Sequence, residues 1–147
     1  MASEPFVGLL VFVAAREVER RVVAAMRRAG VDDITLAQAR VAARIGPHGT
    51  RLTDLAEQAQ VTKQTATALV DRLEIAGYVE RVPDPTDGRA RLVRLTDKAA
   101  SLLPVARAEE ARIEREWEAH LGPRRMRALR ESLTLLREIT DPYRDDA

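Results

Sequence analysis

Lys63, Gln64, Thr65 and Thr67 bring four hydrogen-bonding side chains into five residues, directly after Thr62, which has the character of a helix N-cap. Glutamine can pair bidentately with an adenine edge, lysine can donate to guanine or to phosphate, and threonine can meet a thymine methyl or a phosphate oxygen. The backbone N–H groups of a first helical turn add further anion-binding capacity. A second group follows at Asp87-Gly88-Arg89-Ala90-Arg91. An arginine on a hairpin tip fits a narrow minor groove, where the negative potential is enhanced. Asp87, two residues before Arg89, is placed to hold its guanidinium. Each group also has a plain reading: a solvated helix face for the first, a soluble turn with incidental charges for the second. Taken alone, the helix does not decide between its two readings. The pair of groups in sequence favours nucleic acid.

The elements that would position these groups can be read from periodicity. Ala66, Leu69, Val70, Leu73 and Ala76 form an apolar stripe on a helix opened by Thr62 and closed by Gly77. A short helix precedes it over Leu52–Ala59, with Thr53 as its expected N-cap and Asp54 and Glu57 near the positive end of its dipole. Only Gln60-Val61-Thr62 separates the two, which is the layout of a helix-turn-helix. Tyr78–Val82 and Arg91–Leu95 are rich in β-formers, and Pro83–Ala90 between them is full of turn residues. The expectation is a β-hairpin with a long, polar, arginine-tipped loop, and hence a winged helix.

Long helices flank this centre. Val7, Val11, Ala14, Val18, Val22, Met26 and Ala29 predict a helix over 5–29, stopped by Gly30. Its first half, Pro5–Ala15, is apolar nearly all round and calls for burial on more than one side, most simply by a second chain. Thr35 caps a helix expected to end near Gly46-Pro47, with Leu36, Val41 and Ile45 on its inner face. Thr96-Asp97-Lys98 opens a helix expected to reach about His120, with Leu102, Val105, Ala106, Ile113, Trp117 and Leu121 buried and Pro104 bending it or marking its first turns. Gly122-Pro123 breaks the chain before a last helix carrying Met126, Leu129, Leu133 and Leu136, and the tail Asp141–Asp146 is expected to fray. The fold class is therefore mainly α with a small β-hairpin wing (α+β): a winged helix-turn-helix over 35–96, flanked by long helical segments at 1–34 and 97–147.

Composition closes off several alternatives. The chain has 147 residues and no cysteine, which excludes a disulfide framework and thiol chemistry. Its net charge is only +1, and residues 50–100 hold eight basic and eight acidic side chains. A DNA-facing surface would thus be basic only locally, through Lys63, Arg72, Arg89, Arg91 and Arg51. The apolar run Phe6–Ala15 is far short of the roughly 20 residues a spanning helix needs, and no basic segment precedes it. No membrane association and a cytoplasmic location are expected. The serines are Ser3, Ser101 and Ser132 and the histidines His48 and His120, with no triad or HExxH spacing among them. Gly46, Gly49, Gly77 and Gly88 are isolated turn glycines and not a phosphate cradle. No enzyme activity, metal site or cofactor is expected.

The run Arg51-Leu-Thr-Asp-Leu-Ala-Glu-Gln-Ala-Gln-Val-Thr-Lys-Gln-Thr-Ala-Thr-Ala-Leu-Val-Asp-Arg-Leu-Glu-Ile-Ala-Gly-Tyr-Val-Glu-Arg, followed by Asp84-Pro-Thr-Asp-Gly-Arg-Ala-Arg-Leu-Val-Arg-Leu-Thr96, resembles the MarR family of transcriptional regulators. The resemblance extends over nearly the whole chain and is most specific from Leu69-Val-Asp-Arg-Leu73 through Asp87-x-Arg89 to Leu95-Thr96. It implies an obligate, triangular homodimer. Recognition helices would enter successive major grooves of a near-palindromic double-stranded operator, and the wings would reach the flanking minor grooves. The family's wing arginine falls on Arg89 and its paired aspartate on Asp87. Gly88 stands where the family often has another arginine, and Ala99 where a glycine often follows Leu-Thr. The resemblance also implies a small aromatic or phenolic effector, with Phe12, Arg16, His48 and Trp117 as candidate contacts; plain packing is the other reading of Trp117. The expected DNA-contacting set is Arg51, Thr62, Lys63, Gln64, Thr65, Thr67, Arg72, Asp87, Arg89 and Arg91. The expectation is a homodimeric DNA-binding repressor released by a small ligand; a winged-helix protein-interaction module without DNA binding is the alternative.

Overall fold

The computed structural model describes residues 4–144. Ser3 and the Asp145-Asp146 end of the tail lie outside the described residues. The elements run α1 (Val7–Arg28), α2 (Leu36–Ala42), β1 (Thr50–Arg51), α3 (Leu52–Gln58), α4 (Lys63–Ile75), β2 (Val79–Asp84), β3 (Asp87–Leu95), α5 (Asp97–Ala100), α6 (Leu103–Leu121) and α7 (Pro123–Thr140). The chain divides into two compact units, Met1–Asp32 with Pro104–Leu129 and Asp33–Leu103 with Arg130–Ala147.

In the first unit, α1 buries Ala25, and Val31 follows it into the interior. Ile113 and Met126 complete the buried apolar set, and Trp117 is half-buried one turn beyond Ile113. The same face of α6 buries a carboxylate, Glu109. Its counter-charge is Arg21 of α1, whose Nε donates to Glu109 Oε1 at 2.9 Å and whose Nη1 and Nη2 reach Glu116. Periodicity did not reveal this, because a glutamate inside an apolar stripe is legible only once its partner 88 residues away is known. The chain is exposed at the start of α1 over Phe6, Val7 and Leu9–Val13, apolar residues with no cover among the described residues. No helix among the described residues is long and apolar enough to cross a membrane.

In the second unit, Thr35 caps α2 in a reciprocal box: the Gln38 N–H donates to Thr35 Oγ1 and the Thr35 N–H to Gln38 Oε1. The helix ends at Ala42, short of the expected Gly46-Pro47. Of its expected inner face, Val41 is fully buried, Leu36 is partly exposed, and Ile45, beyond the helix end, is half-buried. Thr50-Arg51 pairs antiparallel with β3, Thr50 opposite Val93 and Arg51 opposite Leu92, so the sheet has three strands in the order β1-β3-β2. The approach is close: a Cβ at Gly49, where φ is +92°, would stand 3.0 Å from the Leu92 Cβ. Because the strand runs straight into α3, Arg51 is the N-cap position and Thr53 lies inside the helix, which corrects the expected cap at Thr53.

The turn to α4 places Gln60 at φ +57° and lets the Val61 N–H return to the Ala56 carbonyl. Thr62 caps α4, its Oγ1 accepting from the Thr65 N–H. Ala66, Val70 and Leu73 of α4 are fully buried beside Val41 and Leu55. Gly77, at φ +81°, ends the helix. Beyond the sheet, the expected single helix from Thr96 to His120 is two helices, α5 and α6, parted at Ser101-Leu102. Pro104 occupies the first turn of the second, where its missing N–H costs nothing.

Candidate nucleic-acid interface

The expected DNA-contacting residues all fall in the second unit, on α4, on the hairpin and at the β1–α3 junction. Lys63, Gln64, Thr65, Ala68 and Arg72 are exposed on α4, and Thr67 is half-buried. The threonines are already engaged. Thr62 Oγ1 caps the helix and donates to Thr65 Oγ1 at 2.9 Å, and Thr67 Oγ1 donates back to the Lys63 carbonyl at 2.9 Å. Of the longer side chains on this helix, Lys63, Gln64 and Arg72 carry donors with no partner among the described residues.

The hairpin differs from expectation. Instead of an eight-residue loop over Pro83–Ala90, the strands extend to Asp84 and from Asp87, and only Pro85-Thr86 turns. The cause is Asp84. Its Oδ1 accepts from both the N–H and the Oγ1 of Thr86, at 2.8 and 2.7 Å, closing the turn tightly. A register shift at Pro83/Asp84 takes up the mismatch. Asp87 does not hold the Arg89 guanidinium; its Oδ1 accepts from the Arg89 backbone N–H at 3.1 Å. Arg89 and Arg91 are both exposed; Arg91 lies opposite Pro83 in the ladder, and Arg89 falls in the irregular stretch between Asp87 and Arg91.

The even charge count of this segment resolves once partners are assigned. Arg81 of β2 reaches Asp71 at 2.6 Å and Glu74 at 3.0 Å on α4. Arg94 pairs with Glu80 directly across the ladder at 2.7 Å. Arg51 Nε and Nη2 donate to Asp84 Oδ2 at 2.9 and 2.7 Å. Lys98 donates to the Ala76 carbonyl at the C-terminal end of α4, with its Nζ 4.1 Å from the centre of the Tyr78 ring. Lys63, Arg72, Arg89 and Arg91 have no ion-pair partner among the described residues. Asp71, Glu74, Glu80 and Asp84 are thus held in ion pairs, and Lys63, Arg72, Arg89 and Arg91 are the exposed cations outside them.

Asp84 is buried, and its carboxyl is held down at about 2, first by the Thr86 hydroxyl and N–H and then by Arg51. Because its folded value lies below the ordinary 3.8, Asp84 stabilises the fold fully above about pH 4 and loses that contribution as pH falls towards 2. The effector candidates divide between the units: Phe12, Arg16 and Trp117 in the first, His48 in the second. The Arg16 guanidinium carbon lies 5.8 Å from the centre of the exposed Phe12 ring.

Two short helices joined by a tight turn, then a hairpin, with the open cations on the second helix and the hairpin, define a winged helix-turn-helix protein. Its helix-turn-helix and hairpin are of the MarR-family type. Residues 32–90 match the sequence model described as the MarR family. The chain is 30% identical over 106 residues to the uncharacterized HTH-type transcriptional regulator YfiV of Bacillus subtilis, an alignment covering 71% of this chain and 66% of that protein. The chain thus spans just under two thirds of that curated relative's length. Among solved structures, wild-type MarR from E. coli in its apo form superposes with a TM-score of 0.71 at 24% identity, covering 91% of this chain and 98% of that one. NadR in complex with 4-hydroxyphenylacetate gives a TM-score of 0.69 at 23% identity, covering 92% and 95%. At these identities the structural likeness speaks for the fold.

Proposed function

We propose that this chain is a homodimeric, sequence-specific DNA-binding repressor that a small aromatic acid releases from its operator. The observation carrying the DNA reading is the set of four exposed cations without ion-pair partners among the described residues, Lys63, Arg72, Arg89 and Arg91, in a segment where other arginines are paired. In this reading α4 enters the major groove of each half-site. Lys63 and Gln64 meet base edges there, with Thr65 and Thr67 along the same turn, and Arg72 meets phosphate. The hairpin carries Arg89 and Arg91 to the flanking minor groove. The segments 1–34 and 97–147 we assign to dimerisation, supported by the uncovered apolar residues Phe6–Val13 of α1 and Leu133, Leu135, Leu136 and Ile139 of α7.

A salt titration tests the phosphate contacts. With all four cations of both protomers engaged, the logarithm of the association constant falls linearly with the logarithm of salt concentration, at about 0.9 per phosphate neutralised. A binding signal independent of salt contradicts the groove reading and favours the protein-interaction module.

The effector reading draws on Phe12, Arg16, His48 and Trp117 and on the aromatic acid bound by NadR. An acid that favours a dimer with mismatched half-site spacing would release DNA by population shift. Trp117 is the only tryptophan, so its fluorescence reports alone. We expect 4-hydroxyphenylacetate or a related phenolic acid to quench it and to lower operator affinity at the same concentrations. Neither effect across a panel of such acids would remove the effector from the account.

A further inference from the structure

Arg51 and Asp84 lie 33 residues apart and meet at the base of the wing. Asp84 is 6% exposed, yet it uses both carboxylate oxygens: Oδ1 on the N–H and hydroxyl of Thr86, and Oδ2 on Nε and Nη2 of Arg51. One oxygen therefore closes the wing turn and the other ties that turn to β1. Arg51 is the last residue of β1 and the N-cap position of α3, the first helix of the helix-turn-helix. We infer that Arg51 and Asp84 form a positioning clamp that fixes the wing, and with it Arg89 and Arg91, relative to the helix-turn-helix. This inference rests on the DNA-binding reading and corrects one part of it: Arg51 acts through Asp84 and is not a DNA contact.

The physical argument is one of cost and geometry. A carboxylate this buried is tolerated because hydrogen bonds saturate it, and the guanidinium supplies two from a planar fork that holds orientation as well as charge. A two-stranded ribbon without such a tie is a weak element, free to swing about its base. Arg89 and Arg91 lie on β3 at and just beyond the turn that Asp84 closes. Fixing that turn to β1 spares the protein the entropy of ordering the ribbon when it binds.

The test turns on sign and on epistasis. Asp84→Asn keeps an acceptor for Thr86 but removes the anion that Arg51 needs. If Arg51 were a phosphate contact held back by Asp84, Asp84→Asn would strengthen DNA binding, since it removes a negative charge beside the duplex. The clamp predicts the opposite. Asp84→Asn and Arg51→Gln each weaken operator binding about tenfold, and the double variant is no worse than either single one. In an Arg89→Ala/Arg91→Ala background, Asp84→Asn has no further effect, because the clamp acts through the two wing arginines; a general loss of stability would still add. Thermal unfolding confirms that each variant is folded at the temperature of the assay. Unchanged or tighter binding by Asp84→Asn, or a loss that persists without Arg89 and Arg91, overturns the clamp. If the wild-type chain binds no duplex, the DNA reading fails on its own. The clamp is then read from amide hydrogen exchange, where Asp84→Asn must raise exchange across 87–91 and leave α4 unchanged; equal protection in both proteins overturns it.

Discussion

Arg89→Ala will weaken operator binding about ten- to a hundredfold, the span expected for one specific groove contact, and will leave fold and dimer intact. Arg89 is exposed, its guanidinium has no partner among the described residues, and its backbone N–H is held by Asp87. Truncating it therefore removes no intramolecular bond and opens no cavity, so stability should change by no more than about 0.5 kcal/mol. The matched control is Arg94→Ala, five positions along the same strand. Arg94 is already paired with Glu80, in a surface bridge worth at most about 1 kcal/mol, and its loss should barely change DNA affinity. Anisotropy titrations of the two variants, with melting curves and sedimentation for each, check the pair. Wild-type affinity in Arg89→Ala would show that the wing does not reach DNA.

Leu73→Ala will cost about 2–5 kcal/mol of folding stability, as a large-to-small change at a fully buried site does. Leu73 is 0% exposed on the inner face of α4, packed in the same core as Leu55, Val70 and Val41. Two residues on, Ile75 is 88% exposed. Ile75→Ala should stay within about 0.5 kcal/mol of wild type, because an exposed side chain has little burial to lose. The contrast fixes the rotation of α4. If the two variants were equally destabilised, the helix would face differently and Lys63 and Arg72 would not point outward as described. Urea unfolding of both variants at one pH decides it.

The capping chemistry of this fold is local, and for that reason legible. Thr35 with Gln38, Thr62 with Thr65 and the stop at Gly77 each depend on residues within a turn of one another. The apolar stripe of α4 needed nothing beyond its own period. What escaped was set at long range. β1 has two residues, too few to show any alternation, and exists because Gly49 lets it approach β3. The wing looked like a long loop because Pro85, Thr86, Asp87 and Gly88 are turn formers. Asp84 shortens it by closing the turn, with its second oxygen held by an arginine far back in the chain. The Asp87–Arg89 spacing suggested a side-chain pair, but the short aspartate reaches the backbone N–H first. Arg51 reads in the sequence as one more cation, and its pairing with Asp84, 33 residues on, shows only in the fold. Charge counting failed for the same reason, since a balanced total conceals which cations are paired.

The central claim is specific DNA recognition by α4 and the wing. Its most direct test is fluorescence anisotropy of the full chain on duplex DNA from the region upstream of its own gene. The titration runs at fixed, near-physiological salt with a scrambled duplex as competitor. The account predicts tight binding that the scrambled duplex does not displace, and a marked loss on Arg89→Ala. Should that duplex do no better than its scrambled competitor, and a random-sequence selection return no preferred site either, the chain would not be a sequence-specific regulator.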